Sequence, residues 1–370
     1  MGEVPRDLAD DVAFDAAGGK DIGAEAIEER GGFGGGKSSG CTRWGGVRRL
    51  FQCPHTYRWI CTPNTNMFRF PFWTLAASML QLAFAQQDLG VISRQDSLHI
   101  VAIGDFGTGS PQQKAIAQAI HRHHAALPFD FGITLGDNFY RCGVKGVGDP
   151  KWQRFWEEPY GKLGIPFYAS LGNHDYGHPP IICPGLAGSP DAEVAYTKVS
   201  KSWRMPARYY TYRAGPALFV VLDTEGWSEE QFQWMKRTLE ASAGDPAIRW
   251  RIVYGHHPMY TSGVHLNERR IGVLRERLLP VFQAAKVDLY ICGHDHDLEH
   301  LRKGGVEFLI CGGGGAKLRK PRRRDPASVF AVAKNAFLDL RIDAERLTAS
   351  FVDAQLRALE DPPLTLERRR

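Results

Sequence analysis

The chain has 370 residues, of which 43% are hydrophobic and 24% are charged. This is the composition of an ordinary globular protein, and it excludes a mainly disordered, collagenous or coiled-coil chain. At about 150 residues per domain, the length allows two or three domains, or one large domain with appendages. The formal net charge of +5 is too small for this length to indicate nucleic-acid binding, so we expect no nucleic-acid partner.

The first 66 residues contain few apolar runs that could form a strand or a helix. They are polar and include a glycine-rich, low-complexity stretch at residues 31–40. Such a composition cannot bury enough apolar surface to offset the entropy lost on folding. We therefore expect residues 1–66 to be a disordered extension.

Residues 67–85 have the form of a signal peptide. Arg69 supplies a positive flank, residues 70–82 are apolar and uncharged, and residues 83–85 form an A-x-A cleavage signal. The apolar stretch is shorter than the roughly 20 residues of a membrane-spanning helix, so we expect no stable membrane insertion. Because a signal peptide begins a protein, we interpret Met67 as the biological start and residues 1–66 as a start-site miscall. A buried or interfacial apolar helix is the alternative.

The cysteines fit an oxidising compartment under this interpretation. The chain has seven cysteines and no C-x-x-C pair, which indicates neither a zinc ribbon nor a dense disulfide scaffold. Three of them precede Met67, and the even number that remains suits a secreted protein, either periplasmic or extracellular. Cys142 and Cys183 lie in predicted loops and could pair, whereas Cys292 and Cys311 end apolar runs and are typical of buried packing.

Beyond residue 96, short apolar runs alternate with helical patterns, which indicates one α/β domain over residues 97–355. In its first part we predict strands at 98–104, 129–135 and 165–171. We predict a helix at 111–126, capped by Ser110, and a helical stretch at 151–163. Further on we predict two strands within 208–223, a helix after Ser228, strands at 250–254 and 287–292 around a helix at 273–286, and strands at 306–310, 336–342 and 347–352. Residues 356–370 are predicted to form a polar tail.

Five of these apolar runs end in glycine followed by Asp, Asn or His. They are Gly104-Asp105, Gly136-Asp137, Gly172-Asn173, Gly255-His256 and Gly293-His294-Asp295-His296. One such ending alone is typical of a turn, but ligands of α/β sheets bind beyond the carboxyl ends of strands, so five endings predict one shared site. Carboxylates, imidazoles and an amide oxygen suit iron, zinc or manganese, and the glycines allow a close backbone approach.

The five blocks resemble the metallophosphoesterases with the calcineurin-like fold and, within them, the purple acid phosphatases. They read G-D-F-G, G-D-N-F-Y, G-N-H-D, V-Y-G-H and G-H-D-H. Tyr140 is typical of purple members, and residues 195–206 are similar to the short, tartrate-resistant mammalian-type branch. The resemblance covers residues 97–355 and implies a four-layer α/β/β/α sandwich of two mixed sheets flanked by helices.

The resemblance also implies a binuclear metal centre. Fe(III) would be held by Asp105, Tyr140 and His296. A divalent Fe, Zn or Mn ion would be held by Asn173, His256 and His294, and the carboxylate of Asp137 would bridge the two ions. Two carboxylates and a phenolate suit a trivalent ion, whereas an amide oxygen and two imidazoles suit a divalent one. A tyrosine ionises near neutral pH only beside such a strong charge.

The implied function is an acid phosphatase that hydrolyses small phosphomonoesters by in-line attack of a metal-bound hydroxide. His174 and His265 match the histidines that bind phosphate and protonate the leaving group, although Leu266 stands where a glycine is expected. His257 competes with His256 for a metal role. Adjacent side chains near a strand end face opposite ways, so we expect only one of them in the site, and we favour His256 because it keeps the V-x-x-H spacing. The oligomeric state is left open.

Two other functions stay as alternatives. A phosphodiesterase or nucleotide hydrolase could use the same scaffold, although Tyr140 argues against it. A non-catalytic secreted metal-binding protein would not need His174 and His265. Residues 317–324 form a basic run that could attract anionic esters or be a plain exposed loop, and residues 312–315 are predicted to approach the site rim closely. His121, His123 and His124 are predicted to be solvated surface.

Overall fold

The computed structural model describes residues 86–177, 183 and 188–368. The predicted disordered extension and signal peptide lie outside the described residues, as do residues 369–370 of the predicted tail. Among the helices of the described ranges, none combines the length and the apolar character needed to cross a membrane.

Two sheets form the centre of the fold. Their strands are β1 Gln86–Ser93, β2 Leu98–Ile103, β3 Phe131–Leu135, β4 Phe167–Ser170, β5 Trp203–Arg204, β6 Tyr209–Ala214, β7 Ala217–Val221, β8 Trp250–Tyr254, β9 Leu289–Cys292, β10 Leu298–Lys303, β11 Val306–Cys311, β12 Ser328–Val332, β13 Ala336–Ile342, β14 Arg346–Asp353 and β15 Leu364–Glu367. Within the described residues, the first sheet has the order β1-β6-β7-β8-β9-β11-β10-β12 and the second β15-β14-β13-β2-β3-β4-β5. Both sheets mix parallel and antiparallel pairs.

Five α-helices lie in the described residues, and three of them begin at a capping serine. They are α1 Pro111–Ala126, α2 Asn173–Tyr176, α3 Pro190–Tyr196, α4 Glu229–Ser242 and α5 Arg269–Ala284, with a π-helical turn at Trp152–Glu157 and a 3-10 turn at Gly161–Leu163. Ser110 caps α1 by accepting from Gln113 N, and Ser228 caps α4 by accepting from Gln231 N. The Gln231 side chain does not bond Ser228 in return but bonds the backbone of Asp223, so only one half of a capping box is formed.

Aromatic side chains join the facing surfaces of the two sheets. Phe131 of β3 meets Phe219 of β7 edge to face at 5.8 Å between ring centroids, and Tyr168 of β4 stacks on Tyr212 of β6 at 4.6 Å. Helices α4 and α5 cover the outer face of the first sheet, and α1 packs on the second. The predicted four-layer sandwich of two mixed sheets flanked by helices is confirmed.

The folded unit is longer at both ends than the predicted domain 97–355. Strand β1 pairs in parallel with β6, and β15 pairs antiparallel with β14. The segment predicted as a polar tail contains this strand at residues 364–367, and Leu364 is buried against the core. The strand has only four residues, so its alternation of leucine with polar side chains is too short to indicate a strand in the sequence.

The sequence analysis also did not predict strands β10 and β12. Strand β10 was missed because it carries charged residues that the fold buries. His300 lies between two carboxylates, with Nε2 2.9 Å from Glu307 Oε2 and Nδ1 2.6 Å from Glu360 Oε1. Burial lowers the pKa of His300, but hydrogen bonds to the two glutamates outweigh it and raise the pKa to about 9. This charge group ties the segment after β14 to the first sheet.

A disulfide joins Cys142 to Cys183, which settles the pairing that the sequence left open. Cys292 and Cys311 are buried free thiols, as their positions at the ends of apolar runs predict. The disulfide holds the loop that starts two residues after Tyr140.

We predict that the His300 group makes stability fall with rising pH. Because the pKa of His300 is higher in the folded chain than the usual value of about 6.5, its contribution is complete below pH 6.5 and is lost as the pH rises through about 9. Urea unfolding of the wild type and of His300→Gln between about pH 6 and 9.5 checks this. Parallel curves for the two proteins over that range would contradict it.

Candidate metal centre

The five strand endings meet at one edge of the sandwich. Each predicted ligand or ligand pair follows directly after a strand: Asp105 after β2, Asp137 after β3, Asn173 after β4, His256 after β8, and His294 and His296 after β9. The first three strands are parallel neighbours in the second sheet, and β8 and β9 are parallel neighbours in the first. The structure therefore brings the side chains from both sheets to one place, because parallel strands end on the same side.

The backbone is held in unusual conformations at three of these residues. Asp105, Asp137 and His294 have φ values of 56°, 52° and 74°, in the left-handed region that non-glycine residues rarely adopt. All three are buried, and such strain is typical of sites whose surroundings impose one geometry. Gly172 permits a close approach of two turns, since a Cβ there would lie 2.2 Å from Asp137 N.

The first group of ligand atoms surrounds the hydroxyl of Tyr140. Its Oη lies 3.1 Å from Asp105 Oδ1, 2.9 Å from Asp137 Oδ2 and 3.1 Å from His296 Nε2. His296 Nδ1 lies 2.9 Å from the carbonyl oxygen of Lys317, so in the neutral ring Nδ1 carries the proton and Nε2 presents its lone pair to Tyr140. Four electron-rich atoms thus converge with one phenolic proton among them.

The surroundings of Tyr140 favour the neutral phenol. Burial, followed by the carboxylates of Asp105 and Asp137, raises the pKa well above its usual range. The phenolate that the predicted ferric site requires can form only if a strong positive charge offsets these effects. The donor set of Asp105, Asp137 and His296, with ligand atoms within 4.8 Å of one another, fits such a cation.

The second group of ligand atoms surrounds the amide oxygen of Asn173. Asn173 Oδ1 lies 3.0 Å from His256 Nε2 and 3.1 Å from His294 Nδ1, and these two nitrogens are 3.2 Å apart. The opposite nitrogens face the Leu135 carbonyl at 2.8 Å and Glu268 Oε2 at 3.0 Å, both acceptors, so the inward nitrogens carry lone pairs when the rings are neutral. Three facing lone pairs fit a divalent cation.

Asp137 lies between the two groups. Its Oδ2 is the atom near Tyr140, while its Oδ1 lies 3.4 Å from His256 Nε2 and accepts a 2.9 Å bond from His174 N. This is the placement that a bridging carboxylate needs. Burial lowers the pKa of His256, but Asp137 and then Asp105 outweigh it and raise the pKa to about 10, so the metal-free site would hold a proton there.

The two predicted phosphate-side histidines flank the groups on opposite sides. His174 is buried, its Nδ1 donates to the Arg141 carbonyl at 2.6 Å, and its ring lies 4.2 Å from that of Tyr140. Burial lowers the pKa of His174. The ring of His265 lies 4.1 Å from that of His294.

The sequence did not reveal the partners of His265. Its Nδ1 lies 2.6 Å from Glu268 Oε1, and its Nε2 lies 2.8 Å from Arg319 Nη1. Burial lowers the pKa of His265, but the bond to Glu268 outweighs it and raises the pKa. Glu268 also holds His294, so one carboxylate orients two histidines. Its position three residues after His265 was the available signal.

Four further histidines of the described residues were also considered from the sequence. His257 Nδ1 pairs with Thr224 Oγ1 at 2.9 Å, and its Nε2 is 3.5 Å from Glu225. A ligand atom of His257 also lies within 4.8 Å of those of Glu268 and His294, so the choice of His256 stays a prediction. The prediction that His121, His123 and His124 are solvated surface is wrong. They are half-buried, and they contact the Pro159 carbonyl, Asp339 and Phe129 N, respectively, because the end of α1 lies against the second sheet.

The sequence matches the calcineurin-like phosphoesterase family over residues 98–298. It is 32% identical over 248 residues to purple acid phosphatase 7 of Arabidopsis thaliana, covering 60% of this chain and 71% of that protein. It is 31% identical over 256 residues to tartrate-resistant acid phosphatase type 5 of Rattus norvegicus, covering 59% of this chain and 72% of that protein.

Solved structures show the same fold. The structure of GAP50, described as the anchor in the inner membrane complex of Plasmodium, aligns with a TM-score of 0.64 and 22% identity, over 75% of this chain and 90% of that one. The purple acid phosphatase PPD1 from yellow lupin aligns with a TM-score of 0.59 and 20% identity, over 74% of this chain and 54% of that one.

The chain belongs to the calcineurin-like phosphoesterase family, and it is a metal-dependent phosphoesterase. Within that family it belongs to the purple acid phosphatases, as the five sequence blocks and Tyr140 predict.

We predict that metal removal destabilises the chain through Asp137. Dialysis against a chelator should lower the melting temperature, and Zn²⁺ at about 100 times its Kd should restore about 2.7 kcal/mol, because the ion binds only the folded site. Calorimetric melting of Asp137→Ala should show no response to Zn²⁺. The exposed Asp191→Asn serves as the matched control and should respond as the wild type does. A full response in Asp137→Ala would contradict the assignment.

Proposed function

We propose that the chain is a binuclear acid phosphatase that hydrolyses phosphomonoesters. Fe(III) would be held by Asp105, Tyr140 and His296, with Asp137 shared between the ions. A divalent Fe, Zn or Mn ion would be held by Asn173, His256 and His294. The observation that carries the proposal is Tyr140 Oη, which lies within 3.1 Å of two carboxylates and an imidazole nitrogen.

The bound ions would supply two effects, a lowered pKa of water and neutralisation of the phosphate charge. The chain's own part is to orient the ester and manage protons. His174 has its Nδ1 occupied by the Arg141 carbonyl, so in the neutral ring Nε2 acts as an acceptor toward the substrate side. That arrangement suits a hydrogen bond with a protonated phosphate oxygen.

His265 is the group we assign to protonation of the leaving oxygen. Although burial lowers the pKa of this histidine, the bond from Nδ1 to Glu268 outweighs it and raises the pKa. Arg319 Nη1 lies 2.8 Å from Nε2 and can only donate, so Nε2 would carry the transferable proton once the arginine has moved away. Since this proton is lost as the pH rises through the pKa of His265, activity should favour acidic conditions.

We also propose that the protein works in an oxidising compartment as a secreted enzyme. The disulfide between Cys142 and Cys183 supports this, because such bonds are rare in the reducing cytosol. The signal peptide at residues 67–85 remains a prediction from sequence.

We predict that Asn173→Ala lowers kcat for p-nitrophenyl phosphate by a factor on the order of 100, since one of the three ligand groups of the divalent site is removed. Asp191→Asn, an exposed substitution, is the control and should leave kcat unchanged. Both proteins are assayed with the monoester and with bis(p-nitrophenyl) phosphate.

Undiminished monoester turnover in Asn173→Ala would remove the binuclear mechanism. Faster wild-type turnover of the diester than of the monoester would replace the proposed function with the phosphodiesterase alternative. Metal binding without turnover of either ester would favour the non-catalytic alternative.

A further inference from the structure

The basic run at residues 317–324, here called the basic rim loop, is attached to the candidate metal centre. Arg319 N donates to the carbonyl oxygen of His296 at 3.0 Å, and the Lys317 carbonyl contacts His296 Nδ1. The backbone amides of Arg322 and Arg323 both donate to the Ser262 carbonyl, at 2.8 and 3.2 Å. The loop is thus bound to a predicted ligand and to the segment that leads to His265.

Arg319 extends from this loop to the histidine assigned to leaving-group protonation. Its Nη1 lies 2.8 Å from His265 Nε2, and the guanidinium is half-buried. Its charge also acts on Tyr140, where it opposes the raising effects of burial and the carboxylates on the pKa of the phenol. The guanidinium therefore lies beside His265, whose ring is 4.1 Å from that of the predicted ligand His294.

The rest of the loop carries charge that the chain does not neutralise locally. Lys320, Arg322 and Arg323 are exposed, and no ion pair to an acidic side chain of the described residues holds them. The guanidinium of Arg324 turns away to the Val329 carbonyl at 2.8 Å. Several cationic groups therefore follow Arg319 directly along the chain, at the edge of the site.

The chemistry of these groups selects the ligand. A guanidinium binds phosphate through two parallel, charge-assisted hydrogen bonds, which are stronger than one hydrogen bond to a neutral imidazole nitrogen. An anionic group arriving beside the scissile phosphate would therefore draw Arg319 from His265 Nε2. The imidazole nitrogen would then face the reacting ester instead of the arginine.

We propose that Arg319 and the basic rim loop bind a second phosphate of the substrate, so that small bisphosphorylated esters are preferred over esters with one phosphate. This rests on the proposed phosphatase function, because the first phosphate must lie at the metal centre. A diffuse positive field would instead attract any anion and would not distinguish one phosphate from two beyond their charge.

Binding to the metal-loaded protein tests the proposal without turnover. Calorimetry compares propylphosphonate with 1,3-propanediphosphonate, which share a chain and differ by one phosphonate. We expect the diphosphonate to bind about tenfold tighter to the wild type and to lose most of that preference in Arg319→Gln. The exposed pair Arg322→Gln/Arg323→Gln should lose part of it, and it guards against a folding defect at the half-buried Arg319.

Lys303→Gln is the matched control, because Lys303 is an exposed cation at the end of β10 that lies away from His296. It should retain the wild-type preference. Equal affinities for the two ligands in the wild type, or an unchanged preference in both loop variants, would overturn the proposal. A preference lost equally in Lys303→Gln would also overturn it, since it would indicate a general field.

Turnover separates this proposal from the function on which it rests. The wild type is assayed with glucose 6-phosphate and glucose 1,6-bisphosphate, and the proposal expects a lower KM for the bisphosphate that rises in Arg319→Gln toward the value for the monophosphate. Hydrolysis of both esters with equal KM would overturn the second-phosphate subsite and leave the phosphatase intact. Hydrolysis of neither would overturn the phosphatase itself, and the subsite with it.

Discussion

The central constraint on this structure is a cluster of electron-rich atoms that the fold buries at the candidate metal centre. The carboxylates of Asp105 and Asp137 converge on Tyr140 Oη, and the amide oxygen of Asn173 faces the inward nitrogens of His256 and His294. Without positive charge such an arrangement is costly, because buried carboxylates and opposed lone pairs repel one another. Burial and the two carboxylates raise the pKa of Tyr140, and the same carboxylates outweigh the lowering effect of burial and raise the pKa of His256.

The two sheets hold these atoms in place. Five strands end at one edge, and the turns after them hold Asp105, Asp137 and His294 at positive φ. Aromatic contacts such as Phe131 with Phe219 keep the sheets in register, so the strained turns cannot relax independently. The packing of the two sheets therefore preorganises the site for cations.

Much of this centre could be predicted from the sequence, because its residues follow strands that are recognisable as apolar runs. The supporting residues Arg319 and Thr224 could not be predicted, since they lie in loops and reach the histidines through tertiary contacts. Strand β10 was missed for a related reason. Its His300 and Glu299 are buried polar side chains, and their partners lie in other elements.

The central claim is that two ions occupy the two groups on either side of Asp137. The direct measurement is anomalous diffraction from crystals of the purified protein, recorded above and below the iron absorption edge. The account predicts two peaks, with an iron peak among Asp105, Tyr140 and His296 and a second peak among Asn173, His256 and His294. A single peak, or peaks away from Asp137 in fully loaded protein, would contradict it.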